Sequence, residues 1–230
     1  MFFLSIDSSN GYSNVLITDE NLNKVSESIS DFHEKHSIII FKQLDEIMRK
    51  ADIKLSDLTG ITVILGPGSY TGIRVSLTIA KTLSYALGIN IMGTGSLYLC
   101  AYSIAKNSAN FKNIVAVKDA AKGHYYISEY FADKANFTRQ LKISLLNINE
   151  LKSYIENMKN KPSIVYGFNK KNDYEKFKYE FENIGLKAAS FDLKQSAYFA
   201  SVYASESNFE NDSKYAEELS PYYVYGNGPF

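Results

Sequence analysis

Residues 64–87 read ILGPGSYTGIRVSLTIAKTLSYAL, a stretch that begins as a strand and continues as a helix. The β-branched run at residues 61–65 predicts a short buried strand. The apolar spacing after the turn predicts a helix over residues 72–87, which Gly88 ends. Three glycines shape the turn, namely Gly66, Gly68 and Gly72. Glycine-rich turns from a strand into a helix often hold phosphate, so this stretch raises the question of a nucleotide site.

The spacing of this turn fits neither of two familiar nucleotide motifs. A P-loop has lysine and a hydroxyl residue directly after its last glycine, whereas Ile73 and Arg74 follow Gly72. A dinucleotide fingerprint spaces its glycines G-x-G-x-x-G, and here the third glycine comes one residue late. An anion site at the start of the helix remains open, and so does a purely conformational role of the glycines. The candidate anion or nucleotide contacts are Asp7, Ser8, Gly66, Gly68, Ser69 and Gly72.

The composition is that of a globular protein without a charge bias. Of its 230 residues, 45% are hydrophobic and 22% are charged, with 25 Lys and Arg against 25 Asp and Glu. Nucleic-acid-binding domains are usually basic, so we expect any contact with RNA to be made through a partner. Cys100 is the single cysteine, which excludes an intramolecular disulfide and fits a reducing compartment. No apolar run resembles a signal peptide or a membrane span, so we expect a cytoplasmic protein without a membrane partner.

The order of the predicted elements indicates an α/β fold. The first hundred residues predict three strands and then helix, strand, helix and strand, which is typical of a mixed sheet with helices packed on it. The first two strands form a hairpin around Asn10-Gly11, and the first helix extends over residues 32–51. Further strands are predicted over 114–117, 125–131 and 164–166, and further helices over 148–157, 173–184 and 196–205. We predict two lobes, residues 1–105 and 106–230, with the C-terminal tail packed back on the first lobe.

Two helices carry more apolar or small residues than one packing face requires. Residues 38–41 of the first helix are four large apolar residues in a row, which point to all sides of a helix. Ser76, Ala80 and Ser84 form a stripe of small side chains along the second helix, where another helix can approach closely. These features predict a surface for a protein partner, and packing within the lobe is the alternative.

The titratable side chains do not assemble into a recognisable site. His33 and His36 are within reach of one metal ion on a helix, but no spacing ties His124 or Cys100 to them, so we predict no metal site. Asp7 follows the first strand, where a carboxylate can hold a metal–phosphate group, orient a water molecule or cap a turn. From the residues alone, a phosphotransferase that uses ATP through Asp7 and the Gly66–Gly72 loop remains open.

Several segments resemble the bacterial TsaB family, also called YeaZ, in their order and spacing. They are FFLSIDSSNGYSNVLI (2–17), HSIIIFKQLDEIM (36–48), ILGPGSYTGIRVSLTIAKTLSYALGI (64–89) and VKDAAKGHYYISEYF (117–131). The closing LSPYYV (219–224) resembles the L-x-P-x-Y-L motif of that family. The resemblance implies an actin-like ATPase fold (ASKHA, ribonuclease H-like) with two lobes, each containing a mixed sheet and helices.

The resemblance also implies a role in transferring threonylcarbamoyl to the adenosine next to the tRNA anticodon. Such a protein is a non-catalytic relative of the transferase TsaD, pairs with TsaD through its N-terminal helices, and is joined by the ATPase TsaE. We therefore expect no catalytic residue and no cofactor in this chain. ATP, ADP and metal would belong to the partner or to the joint interface. Contact with tRNA would require the complex. When the partner is absent, a homodimer and a monomer are both open alternatives.

The residues that the resemblance assigns to the partner interface lie on the first two long helices. They are His36, Ile40, Phe41, Leu44, Arg74, Leu77, Ala80, Lys81 and Ser84. The chain departs from the family pattern at Ala121-Lys122, where a basic dipeptide is expected, and at Val224-Tyr225, where a closing arginine is expected. His33 and His36 are also one residue short of the H-x-x-x-H spacing that TsaD-like metal binding needs.

Overall fold

The computed structural model describes residues 1–31, 36–107, 113–133, 136–139, 142–158, 162–182, 188–206 and 216–224. The strands are β1 (Phe2–Asp7), β2 (Tyr12–Asp19), β3 (Lys24–Asp31), β4 (Leu58–Ile64), β5 (Asn90–Thr94), β6 (Asn113–Asp119), β7 (His124–Asp133), β8 (Asn136–Arg139), β9 (Ser144–Asn147), β10 (Ser163–Phe168) and β11 (Ala188–Asp192). The helices are α1 (His36–Ala51), α2 (Tyr70–Leu87), α3 (Ser96–Asn107), α4 (Ile148–Glu156), α5 (Lys171–Glu182) and α6 (Ser196–Glu206). Short 3-10 turns occupy Leu55–Asp57, Leu193–Gln195 and Ala216–Glu218.

The chain divides into two compact units that are not simple halves of the sequence. The first unit consists of Met1–Ser96 and Lys194–Tyr223, and the second consists of Leu97–Leu193 with Val224. The division therefore lies nine residues before the border that we predicted after residue 105, because nearly all of α3 belongs to the second unit. The segment from Lys194 to Tyr223 returns to the first unit.

The sheet of the first unit has the strand order β3-β2-β1-β4-β5. Strand β2 runs antiparallel to both of its neighbours, whereas β1, β4 and β5 are parallel to one another. The predicted hairpin is confirmed, since the turn of residues 8–11 joins β1 to β2 with Asp7 opposite Asn14. The predicted third strand at residues 25–29 is also confirmed as part of β3.

Helices α1 and α2 cover one face of this sheet. Alternate residues of β1, Leu4 and Ile6, pack in one buried cluster with Ile40 of α1 and Leu77 of α2. The side chain of Gln43 fixes α1 on the sheet, because its amide donates to the carbonyl of Ser28 on β3 at 2.8 Å. At its C-terminus, α2 ends at Gly88 in the left-handed conformation with φ of 64°, which glycine adopts without steric cost.

Helix α6 covers the opposite face of the same sheet. Because side chains alternate along a strand, Ser5 of β1 points away from the α1–α2 layer. Its hydroxyl forms a hydrogen bond with Ser201 of α6 at 2.7 Å and another with Thr62 of β4. At the start of α6, the amide of Asn14 donates to the carbonyl of Lys194 at 2.7 Å. The first unit thus has three layers, which are helices α1 and α2, the sheet, and helix α6.

The second unit contains a mixed sheet with the order β11-β10-β6-β7-β8, and β9 also pairs with β7. Strands β6, β10 and β11 are parallel, whereas β7 is antiparallel to its partners. One face packs against α4 and α5 through a cluster of apolar and aromatic side chains. Its members include Val117, Leu151, Tyr166, Phe177 and Phe181.

Most of the predicted elements are present. The structure also contains the short strands β8, β9 and β11, which were not predicted. The predicted start of the first helix at residues 32–35 lies outside the described residues, and α1 is described from His36. The two mixed sheets with packed helices confirm the α/β prediction.

Candidate functional site

Asp7 ends β1 and is completely buried. One carboxylate oxygen, Oδ1, accepts a hydrogen bond from the backbone N–H of Ser9 at 2.8 Å. The other, Oδ2, accepts one from the side-chain amide of Asn10 at 3.2 Å. A carboxylate bonded to its own chain two residues ahead is an Asx turn, which stabilises the hairpin. Both oxygens of Asp7 therefore take part in the turn between β1 and β2.

This turn packs directly against the start of α2. The hydroxyl of Ser8 donates to the carbonyl of Gly72 at 2.6 Å, and the carbonyl of Ser9 accepts from the N–H of Ser69 at 2.8 Å. A Cβ on Gly72 would lie 1.8 Å from the carbonyl oxygen of Ser8. Residue 72 is therefore glycine because backbone of another segment occupies the space of a side chain.

Two backbone N–H groups at the start of α2, those of Ser69 and Gly72, are bonded within the protein. Ser69 is the N-cap, and its hydroxyl accepts from the N–H of Gly72 at 3.2 Å. Its carbonyl accepts from the N–H of Ile73 at 2.9 Å. Since anion binding at a helix start depends on free N–H groups, the bond from Gly72 to the Ser69 hydroxyl removes one donor that α2 could offer to a phosphate.

The other side of the loop is fixed by Ser96. The carbonyl of Gly66 accepts from the N–H of Ser96 at 2.8 Å, and the Ser96 hydroxyl donates to the carbonyl of Pro67 at 2.9 Å. Gly66 has a φ of 99° and precedes a cis peptide bond to Pro67. This φ lies in the region that favours glycine. The loop is thus held between the β1–β2 turn and the start of α3.

A segment near the C-terminus, Leu219–Tyr223, packs on the same loop, and we call it the C-terminal strap. The N–H of Tyr222 donates to the carbonyl of Leu65 at 2.8 Å. A Cβ on Gly93 would lie 3.1 Å from Leu219, and a Cβ on Gly95 would lie 3.1 Å from the ring of Tyr222. The strap therefore occupies a groove that glycines leave open beside the loop.

The solvent-facing stripe of α2 is uncharged or basic. Its exposed residues are Tyr70, Thr71, Arg74, Thr78, Thr82 and Tyr85. Lys81 is half-buried beside them, and α2 contains no Asp or Glu. On α1, Ile38 and Phe41 expose 45% and 55% of their surface, which is unusual for large apolar side chains. The two helices together present apolar, aromatic and basic groups to solvent.

One titratable group on α1 is clearly perturbed. Hydrogen bonds from Lys50 and then Ser28 hold the pKa of Glu46 below its ordinary value. The carboxylate is therefore in its charged form near neutral pH, and it links α1 to β3.

Within the described residues, no helix is long and apolar enough to cross a membrane. The same residues contain no group of three or more His, Cys, Asp and Glu side chains that could hold a metal ion.

The comparisons with known proteins decide the family. The family model of the tRNA N6-adenosine threonylcarbamoyltransferase TsaD matches residues 25–219. The TsaB protein of Buchnera aphidicola subsp. Schizaphis graminum is 32% identical over 70% of this chain and 76% of its own length. The chain belongs to the TsaB family. The TsaB protein of Bacillus subtilis is also 32% identical, over 56% of this chain, and the match spans only 55% of that protein.

The solved structures agree with this family. YeaZ from Pseudomonas aeruginosa superposes with a TM-score of 0.69 at 15% identity, over 97% of this chain and 99% of that one. At this identity the likeness concerns the fold. Together with the two mixed sheets, it confirms the actin-like, two-lobe fold that the TsaB resemblance implied.

The interface residues that the TsaB resemblance assigned divide into buried and exposed groups. Ile40, Leu44, Leu77, Ala80 and Ser84 are buried within the first unit. The small-residue stripe is therefore interior, and its prediction as a partner surface is corrected. Ala80 packs in the buried cluster of the first unit, and the Ser84 hydroxyl donates to the carbonyl of Ile89 at 2.6 Å. Phe41 and Arg74 are exposed, and Lys81 is half-buried.

The histidines of this TsaB-family chain do not change the site. His33 lies outside the described residues, and His36 begins α1 with a side chain that is also outside them. His124 is exposed at the start of β7, where its Nδ1 lies 3.1 Å from the carbonyl oxygen of Lys122. Cys100 is buried on α3 in the second unit.

The predicted anion contacts of the TsaB-family loop do come together in space. Asp7, Ser8, Ser69 and Gly72 form one hydrogen-bonded cluster, with Gly66 on the far side of the same loop. Asp7 is bonded to Ser9 and Asn10, and Gly72 is bonded to Ser8 and Ser69. Nucleotide binding at this loop stays a prediction. The sequence did not reveal the roles of Ser9, Ser96 and Tyr222, although the L-x-P-x-Y motif marked the strap.

Proposed function

We propose that this chain is a non-catalytic scaffold and activator subunit of the complex that transfers threonylcarbamoyl to the adenosine next to the tRNA anticodon. The observation that carries the proposal is family membership, since relatives at 32% identity are named tRNA threonylcarbamoyladenosine biosynthesis protein TsaB. In this role the chain pairs with TsaD and recruits TsaE. ATP, ADP and metal belong to the partner or to the joint interface.

The contacts of Asp7 support a scaffold rather than an enzyme. In an ATP-dependent enzyme with this fold, a carboxylate at the end of β1 would face metal and phosphate. Here its oxygens accept hydrogen bonds from Ser9 and Asn10. The start of α2 is likewise bonded to the β1–β2 turn. A protein that leaves chemistry to its partner has no need of a free carboxylate or phosphate cradle here.

The exposed faces of α1 and α2 support pairing with TsaD. Apolar and aromatic side chains exposed together are typical of protein–protein interfaces, and Ile38, Phe41 and Tyr85 are all exposed on these helices. The formal net charge of zero supports contact with tRNA only within the complex. A second copy of the chain could occupy the same faces when TsaD is absent, and we place the complex in the cytoplasm with its tRNA substrate.

Reconstitution tests the proposal. The purified chain, the TsaD and TsaE proteins of the same organism and unmodified tRNA would be combined with the threonylcarbamoyl donor. Modified adenosine would be measured by mass spectrometry of the digested tRNA. We expect modification only when this chain is present with TsaD, and none from the chain alone. Equal modification with and without the chain would contradict the proposal.

A further inference from the structure

The C-terminal strap is connected to the exposed face of α2 by a stack of three side chains. The rings of Tyr223 and Tyr70 have centroids 4.9 Å apart and an interplanar angle of 32°. The guanidinium carbon of Arg74 lies 4.7 Å from the centroid of the Tyr70 ring. Arg74 Nη1 also donates to the Tyr70 hydroxyl at 2.5 Å. We call this arrangement the Tyr223–Tyr70–Arg74 stack.

The strap end of the stack is anchored to the first unit. Tyr222 is bonded through its backbone to Leu65, and Leu219 is buried in the core of that unit. The side chains of Leu219 and Tyr222 lie in the groove formed at Gly93 and Gly95. Because Tyr223 follows Tyr222 directly, these contacts place its ring against Tyr70.

The α2 end of the stack carries a charge that the described residues do not neutralise. Arg74 is exposed, and no described Asp or Glu forms an ion pair with it. No acidic residue lies on α2 itself. The cation–π contact and the hydrogen bond with Tyr70 already restrict the guanidinium, so less conformational entropy is lost when it binds. Arginine and tyrosine are also the side chains that most often dominate protein interfaces.

We infer that Tyr223 of the strap is a positioning residue that holds Arg74, through Tyr70, for a carboxylate on the transferase partner. The inference rests on the proposed function, because it names the chemistry of one contact in that complex. The last described segment of the chain thereby becomes part of the docking surface, although its position in the sequence is far from α2. A carboxylate is the matching group, since the exposed stripe of α2 is only basic or neutral.

A double-mutant cycle tests the inference on the full chain. The dissociation constant for purified TsaD of the same organism would be measured by calorimetry for the unchanged chain, Arg74→Ala, Tyr223→Ala and the double variant. We expect Arg74→Ala to weaken binding about tenfold and Tyr223→Ala about threefold to fivefold. The double variant should bind within about twofold of Arg74→Ala, since Tyr223 acts through Arg74.

Further variants separate positioning from loss of fold. Tyr223→Phe keeps the ring and should bind within about twofold of the unchanged chain, and Tyr70→Phe should weaken binding about threefold because it removes the acceptor for Arg74. Tyr179→Ala, an exposed tyrosine on α5, is the matched control. Thermal unfolding would be recorded for each. If Tyr223→Ala is unfolded, the cycle is run with Tyr70→Phe in its place.

Each outcome decides between the two proposals. Non-additive losses support the positioning role. The inference is overturned if the losses in affinity multiply in the double variant, or if Arg74→Ala binds TsaD as tightly as the unchanged chain. Either result leaves the proposed pairing with TsaD standing. No binding by the unchanged chain overturns both the inference and the proposed pairing.

Discussion

The carbonyl oxygen of Ser8 lies 1.8 Å from the place that a Cβ on Gly72 would take. The start of α2 and the β1–β2 turn are therefore in backbone contact, and the Ser8 hydroxyl adds a 2.6 Å hydrogen bond across it. The contact joins the two segments to which the phosphotransferase alternative assigns ATP. Here they bind each other.

Gly72→Ala tests how much this contact contributes to stability. The new methyl group would overlap backbone that a rotamer change cannot move, so α2 and the turn must separate. We expect the free energy of unfolding to fall by about 2–4 kcal/mol, measured by urea titration with circular dichroism. Gly11→Ala is the matched control, because a Cβ there meets nothing within 4 Å. Equal losses in the two variants would show that the contact is not tight.

Asp7→Ala separates the scaffold from an ATP-using enzyme. The variant removes two acceptors from buried donors, and we expect a loss of about 1–3 kcal/mol in the free energy of unfolding. Calorimetry of the unchanged, isolated chain with Mg-ATP should give no binding heat. Micromolar binding that Asp7→Ala abolishes in a folded variant would favour the phosphotransferase alternative.

Ala80→Arg and Thr78→Glu distinguish the two sides of α2. Ala80 is completely buried, so a charged side chain there should lower the free energy of unfolding by more than about 3 kcal/mol. Thr78 is exposed on the stripe that contains Arg74. Thr78→Glu should leave the thermal midpoint nearly unchanged and weaken TsaD binding through repulsion of a carboxylate. A folded Ala80→Arg variant would restore the prediction that the small-residue stripe is exposed.

Tyr166→Phe tests a pH dependence of the second unit. Burial, with smaller contributions from Asp119, Tyr125 and Asp173, raises the pKa of Tyr166 above its ordinary value near 10. A raised folded-state pKa gives stability that is full below the unfolded-state pKa and is lost as pH rises above it. We therefore expect the free energy of unfolding to fall less steeply above about pH 10 in Tyr166→Phe than in the unchanged chain.

The measurement for Tyr166 is urea unfolding at several alkaline pH values. Tyr179→Phe serves as its control, since Tyr179 is 69% exposed. Tyr125 and Tyr126 also have pKa values raised by burial, so some alkaline loss should remain in the variant. Identical pH profiles for Tyr166→Phe and the unchanged chain would contradict the prediction.

Local signals made much of the fold predictable. The Asn10-Gly11 dipeptide indicated the hairpin, and the 3.6-residue spacing with Gly88 indicated α2, because turn residues and helix ends depend on nearby sequence. The unpredicted strands β8, β9 and β11 are only four or five residues long. They pair with β7 and β10, which were predicted, but the local pattern of so short a segment does not show that it will join a neighbouring strand.

The candidate site was less predictable because its contacts join distant parts of the chain. A stripe such as Ser76, Ala80 and Ser84 indicates a close approach, but spacing alone does not say whether the sheet or a partner approaches. Similarly, the glycine at residue 72 suggested space for a phosphate, whereas Ser8 fills that space. Tyr222 lies more than 150 residues beyond Leu65, to which it is bonded, and no local pattern predicts such a pair.

The return of Lys194–Tyr223 to the first unit has a consequence for synthesis on the ribosome. Domains usually fold as soon as they have been translated, yet the sheet of β1–β5 cannot complete its α6 layer until the second unit has been made. Until then the hydroxyl of Ser5 lacks its hydrogen bond with Ser201. The second unit, whose principal segment is continuous, can finish folding first. The first unit would thus begin to emerge before the second unit and complete its fold after it.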